Sequence, residues 1–311
     1  MSIAEKKPIS PTLVLLAGIL AASTASIFIR YAQSEAPSLS IAASRLTIAV
    51  LLLTPFMLTQ YHTELQQLKW NQIRIMLLTG LFLALHFGSW ITSLEYTSIA
   101  SSVVLVTTTP LWVALISSLF LKEKLTKPLL IGLITAMAGG FLVGIAENCG
   151  FREGQFACTI TGDAFQSRAM FGNGLALFGA FMMALYLVAG RKTRLSMSTW
   201  VYVYVVYGFA ALFLILICIV TTQPLVGFSS SFYLWVFLLA LFPQLIGHTS
   251  YNWALGFLPT TFVSIALLGE PIGTIILSFI LLKESPTLLE GVGGIFLLTG
   301  IYLASRSSSQ K

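Results

Sequence analysis

The chain has 311 residues, of which 57% are hydrophobic and only 9% are charged. A soluble domain of this size keeps roughly a quarter of its residues charged, so the composition excludes one; whole segments are apolar on every face rather than along one stripe. The formal charge of +6 sits in short connections between apolar runs, with no dense basic stretch, which excludes a nucleic-acid partner and matches the pattern of membrane-topology signals.

Crossing about 30 Å of hydrocarbon takes around 20 residues of helix, and runs of that length recur throughout. The hydrophobic pattern predicts helices at 12–29, 38–59, 73–94, 99–121, 128–146, 171–190, 199–221, 231–255, 260–282 and 287–305. The first, with Lys6 and Lys7 before it and small residues from Ala21 to Ser26, resembles a secretory signal peptide. Its length, Arg30 after it and nine further spans point instead to an uncleaved helix. Pro37, Pro128, Pro224 and Pro286 fall near helix starts or in connections, where a missing N–H does least harm. Trp70, Trp200 and Trp235 fall near predicted interfaces as aromatic anchors. Cys218 lies within the seventh span as a packing residue, whereas Cys149 and Cys158 share the polar loop 147–170.

With the N-terminus cytoplasmic, Lys6, Lys7, Lys69, Arg74, Lys122, Lys124, Lys127, Arg191, Lys192, Arg194, Arg306 and Lys311 lie inside. Only Arg30, Arg152, Arg168 and Lys283 lie outside. Positive residues favour the cytoplasmic side, so both termini are expected there, in a bacterial plasma (inner) membrane. The 147–170 loop is then extracytoplasmic, where Cys149 and Cys158 can form a disulfide or remain free thiols.

A shift of 161 residues brings two stretches into register. Pro110 falls on Pro271, Leu121-Lys122-Glu123 on Leu282-Lys283-Glu284, Gly132 on Gly293 and Gly139 on Gly300. In the same frame Gly18 meets Gly179, Arg30 meets Arg191 and Ser89 meets Ser250. Residues 1–146 and 171–311 are thus expected to be five-helix repeats. Because five is odd, the second must enter the membrane from the opposite side. The expected fold is an all-α membrane protein with ten transmembrane helices in two inverted repeats, an architecture of carriers that alternate around a midplane site.

The run from Trp90 to Ser98, followed by Pro110 and Leu121-Lys122-Glu123, resembles the first half of an EamA-type drug/metabolite transporter. Ala254-Leu255, Glu270-Pro271, Lys283-Glu284 and Gly293 with Gly300 resemble the second half, and Ser44-Arg45-Leu46 resembles the family's second helix. This likeness covers essentially the whole chain. It implies a ten-helix inverted-repeat fold and export of amino acids or other small metabolites. The 147–170 loop is longer and more polar than the family pattern.

Charges inside spans are costly and mark cavities or partners. Arg45 can anchor a carboxylate or a helix end, or snorkel, or pair structurally. Glu270, beside Pro271, can bind a substrate amine or carry a proton, or it can brace the kink or pair with Arg45. His86 with Trp90, and His248 with Tyr251 and Asn252, share helix faces by spacing. They can line a pocket for an aromatic or amphipathic ligand, or simply pack. The tyrosines Tyr186, Tyr202, Tyr204 and Tyr207 read as packing or anchoring residues, as do small-residue stripes through Gly132 and Gly172. Arg45, His86, Trp90, His248, Tyr251, Asn252 and Glu270 are therefore the candidate binding residues. A small-molecule substrate is the expected partner, protons are the candidate coupling ion, and no cofactor or metal is expected.

Two other classes were weighed. Asp163 is the only aspartate, so a paired-aspartate protease is excluded, and H-E-x-x-H, G-x-S-x-G and Walker A patterns are absent. A membrane-embedded enzyme using His and Glu, or a channel, stays open as the alternative to a carrier. Substrate, direction and oligomeric state are not written in the sequence.

Overall fold

The computed structural model describes residues 10–97, 102, 105–122, 124–145, 149–152, 155–158, 167–282 and 288–308. The expected Lys283-Glu284 turn, Glu123 and the remaining parts of the 147–170 loop lie outside these residues. Among the described residues, six helices are long and apolar enough to cross a bilayer: Pro11–Gln33, Ser38–Gln60, Trp70–Tyr96, Met170–Arg194, Thr199–Val220 and Ser230–Ala254. Shorter apolar helices cover Thr109–Phe120, Lys127–Leu142 and Gly291–Ala304. The chain is an integral membrane protein, and apolar side chains such as Leu51, Phe120, Ile134 and Val220 point outward at 63%, 76%, 67% and 82% exposure. Only a lipid solvent accommodates such a surface.

In chain order the helices are α1 (Pro11–Ala22), α2 (Ala25–Gln33), α3 (Ser38–Gln60), α4 (His62–Gln66), α5 (Trp70–Tyr96), α6 (Thr109–Phe120) and α7 (Lys127–Ile145). After a hairpin come α8 (Ser167–Arg194), α9 (Thr199–Val220), α10 (Ser230–Leu239), a π-helical segment (Ala240–His248) and α11 (Thr249–Ala254). The last are α12 (Thr260–Ala266), a 3-10 turn (Leu267–Gly269), α13 (Glu270–Leu282) and α14 (Leu288–Ser308).

Among the described residues four expected continuous spans are interrupted. The first breaks at Ser23–Thr24 and the fourth at Thr107–Thr108 before α6, the eighth widens into a π-helix around Pro243, and the ninth is split by the 3-10 turn before Glu270. Hydrophobic periodicity carries no signal for such breaks. Proline does, because it lacks a donor and crowds the preceding turn, and a π turn is one way a helix absorbs it.

The 147–170 loop is not wholly irregular. Strands β1 (Cys149–Arg152) and β2 (Gln155–Cys158) pair antiparallel, with Cys149 opposite Cys158. Cys158 is disulfide-bonded, while Cys218 is free and buried within α9.

Close helix crossings recur under the 161-residue shift. A Cβ on Gly132 would lie 2.6 Å from the Gly300 carbonyl oxygen, and one on Gly139 would lie 2.6 Å from that of Gly293. The shift turns the first contact into the second, since Gly132 maps to Gly293 and Gly300 to Gly139. The same exchange holds elsewhere. Gly18 of α1 meets Ser250 of α11, with a Cβ 2.6 Å from the serine Cβ, and Gly179 of α8 meets Ser89 of α5, with a Cβ 3.0 Å from its Oγ. Each half also repeats an internal bond: Gln33 Nε2 donates to the Ile91 carbonyl at 3.2 Å, and Arg194 Nε to the Asn252 carbonyl at 3.0 Å.

These backbone approaches leave no room for side chains. Gly132→Ala should destabilise the protein by about 1–3 kcal/mol, the usual penalty for overpacking. Gly294→Ala, where a Cβ meets nothing within 4 Å, should be neutral within about 0.5 kcal/mol. Thermal melts of the detergent-solubilised variants compare the two directly.

Candidate binding site

The centre of the bundle is polar because helical spacing puts Arg45 on the buried stripe of α3. Ser38, Ile41, Ala42, Arg45, Leu46, Ala49, Leu53 and Met57 are buried at the three- and four-residue steps of one face. Arg45 is 1% exposed, and small neighbours such as Ala42 and Ala49 leave its long side chain room to run inward. Its guanidinium carbon stands 4.0 Å above the centroid of the Phe87 ring, a cation–π contact. Its Nε donates to Gln244 Oε1 at 3.0 Å.

The Arg45–Glu270 ion pair, one of the alternatives open from the sequence, does not form. The two side chains interact only through space. Glu270 Oε1 instead accepts from the Tyr251 hydroxyl at 2.8 Å. Glu270 is the first residue of α13, where a carboxylate favours the exposed N–H groups of the helix start. Its own carbonyl accepts from Ser23 Oγ at 3.0 Å and Thr274 Oγ1 at 3.1 Å. In the shifted frame Glu270 corresponds to Thr109, which likewise begins a helix, α6, immediately before a proline.

Around this pair stand the histidines. His86 Nδ1 bonds the Gly179 carbonyl at 2.9 Å, and the ring stacks on Trp90 at 6.0 Å and 10°. His248 meets Phe87 edge-on at 5.0 Å and Tyr251 at 5.3 Å. The two histidines therefore bracket one aromatic patch with Arg45 over its middle. Asn252 Nδ2 donates to the Tyr186 hydroxyl and, at 2.7 Å, to the His248 carbonyl. All seven residues singled out from the sequence belong to one connected cluster.

Three further members were missed. Gln244, 0% exposed, lies within the π-helical segment beside Pro243; a lone amide beside a mid-span proline was its only signal. Tyr207 and Tyr186, read as packing residues, join the polar network. The Tyr207 hydroxyl stands 3.3 Å from Thr249 Oγ1, and both lie within 3.5 Å of the Gln244 carbonyl.

Several buried polar atoms of the cluster have no protein partner: Arg45 Nη1, Gln244 Nε2, Trp90 Nε1, His248 Nδ1 and Asn252 Oδ1. Buried polar groups are nearly always satisfied, so this group forms a set of unused donors and acceptors available to a bound molecule. Among the described residues no group of three or more His, Cys, Asp or Glu side chains could hold a metal ion.

Removing the Tyr251 hydroxyl strands a carboxylate. Tyr251→Phe should cost about 1–3 kcal/mol, and much less in a Glu270→Gln background, where no charge needs the donor. A double-mutant cycle of melting temperatures measures the coupling.

Comparison with known proteins agrees with this architecture. The model of the EamA-like transporter family matches residues 9–145 and again 170–306, two stretches offset by the same 161 residues. An uncharacterized transporter of Archaeoglobus fulgidus is 23% identical over 244 residues, covering 78% of each chain. The uncharacterized transporter YyaM of Bacillus subtilis is 24% identical over 218 residues, covering 68% of this chain and 66% of its own. One protein of known crystal structure superposes with a TM-score of 0.74 at 20% identity, over 96% of this chain and 98% of its own, and so shares the fold. Two family matches over most of the chain, around a buried polar centre, make this membrane transporter a member of the EamA-like transporter family.

Proposed function

We propose that the protein is a secondary carrier that works by alternating access. It would export small metabolites such as amino acids, or amphipathic and cationic compounds. The observation that carries the reading is the exchange of contacts between halves. Gly18–Ser250 becomes Ser89–Gly179 under the same shift that relates Gly132–Gly300 to Gly139–Gly293. Two five-helix repeats inserted in opposite senses would account for it, giving ten transmembrane helices. Rocking one half on the other would then interconvert two mirror-related openings.

The substrate would sit where the halves meet, between Arg45, His86 and Trp90 on one side and His248, Tyr251, Asn252 and Glu270 on the other. Broken helices support this position, because α6 and α13 both start there, after breaks that align in the repeat frame. The Glu270 carboxylate would hold a substrate amine or exchange a proton. Export as the direction rests on the family resemblance, and cytoplasmic termini rest on the distribution of Lys and Arg. A Cys149–Cys158 disulfide would clip the outer hairpin, whose register already sets the two residues opposite each other.

Proteoliposomes preloaded with individual amino acids or cationic dyes, with and without a pH gradient, test the reading. Efflux that saturates, with no accompanying open-pore current, is expected. Glu270→Gln should slow transport by about tenfold or more, the scale of a lost hydrogen bond to a charged group, while the protein still folds. Unchanged transport by this variant across pH 5–8 would rule out the role given to Glu270. Cys158→Ser should leave transport rates intact and lower the melting temperature, consistent with closure of a short loop.

A further inference from the structure

One buried charge has no ion pair among the described residues. Arg45 is 1% exposed, and among the described residues its side chain makes a single hydrogen bond, from Nε to Gln244 Oε1. Burying an arginine in this way is costly unless a partner neutralises it. Glu270 makes no ion pair with it; its Oε1 accepts from Tyr251 instead. The bond to Gln244 also settles which way the amide points. An Nε–H can be met only by the amide oxygen, so Gln244 Nε2 is turned away from Arg45 as a second donor. Both Arg45 Nη1 and Gln244 Nε2 are buried and have no partner. The side chains are joined by one 3.0 Å hydrogen bond through Nε, so Gln244 holds one edge of the guanidinium and the unpartnered Nη1 lies on the opposite edge.

From this geometry we infer that Arg45 anchors a carboxylate subsite, its guanidinium held in place by Gln244 and its unpartnered Nη1 edge offered to the ligand. The inference rests on the carrier reading only for where the ligand is taken, and it narrows the cargo: molecules with a carboxylate fit the site, and purely cationic compounds do not. A carboxylate that accepts from Nη1 supplies the missing negative charge, which makes such a hydrogen bond stronger than a neutral one. Phe87 holds the guanidinium from one face at 4.0 Å, leaving the edges of the plane for the ligand. Gln244 owes its position to the π-helical turn around Pro243. Its carbonyl is within reach of the hydroxyls of Tyr207 and Thr249 at 3.5 and 3.4 Å. The subsite is therefore built from α3 in the first half and the widened helix in the second, and any movement between halves changes how Gln244 holds the guanidinium.

The full-length protein in detergent tests this with phenylalanine, phenylalaninamide, inorganic phosphate and methanesulfonate as probes, read by ligand binding and melting temperature. The wild type should bind the carboxylate about ten- to a hundredfold more tightly than the amide, the strength of charge-assisted hydrogen bonds. Gln244→Glu places an acid beside Arg45; it should raise the melting temperature without ligand and abolish the preference for the carboxylate. Arg45→Met, which removes the charge at similar length, should fold with equal or greater stability and show no preference. Equal binding of acid and amide, no binding of the acid, tighter binding of the tetrahedral anions, or a preference that survives Gln244→Glu overturns the inference. Transport of acid and amide alike would fail this inference while sparing the carrier reading. A carboxylate preference without any transport would fail the carrier reading alone.

Discussion

In hydrocarbon no water is available to satisfy a broken backbone, and every carbonyl freed at a helix interruption must find a donor within the protein. The organisation of this molecule follows from that constraint. Side chains answer carbonyls at the breaks: Ser23 from the first span and Thr274 from the same helix donate to that of Glu270, and Tyr207 from α9 and Thr249 from the same span reach that of Gln244. His86 likewise bonds the Gly179 carbonyl within the unbroken α8. Polar residues are thereby drawn to the middle of an otherwise apolar bundle, and the same residues become the lining of the candidate site.

Close packing makes those donors reach. The glycine crossings at Gly18, Gly132, Gly139 and Gly179 bring backbones to contact distance, as small residues do where lipid leaves helices little hydrophobic drive to associate. Since the crossings exchange under a common shift, each half is held to the other by two copies of one joint. Chemistry does not follow the same symmetry. Thr109 faces the role that Glu270 fills, Trp90 corresponds to Tyr251, Phe87 to His248 and Ile91 to Asn252. One half contributes mainly aromatic surface and the arginine, while the other contributes the carboxylate and amides. The repeated frame therefore surrounds a centre whose two sides differ in chemistry.

The family resemblance, the 161-residue frame and the seven candidate residues were all legible from the residues, because charges, histidines and prolines are rare enough in apolar spans to stand out. Gln244 was not, since a neutral amide in a hydrophobic run carries little signal and α-helical spacing does not foresee a π turn. From sequence Tyr186 and Tyr207 read as packing residues, because an aromatic ring looks the same in either role until its hydroxyl has a partner. The Arg45–Glu270 pairing was chemically reasonable, yet Tyr251 reached the carboxylate instead. Periodicity gave no sign of the hairpin between Cys149 and Cys158, because eight strand residues in a polar loop have too little pattern.

By itself the sequence determined that this chain lives in a bilayer, roughly where it crosses, and that it carries one pattern twice. Those properties depend on local composition and on spacing along the chain. Only the tertiary structure decided which buried polar groups meet and which are left without partners. That outcome depends on the angles at which broken helices cross, and those angles are set by contacts between residues far apart in the chain, such as Gly132 with Gly300 and Arg45 with Gln244.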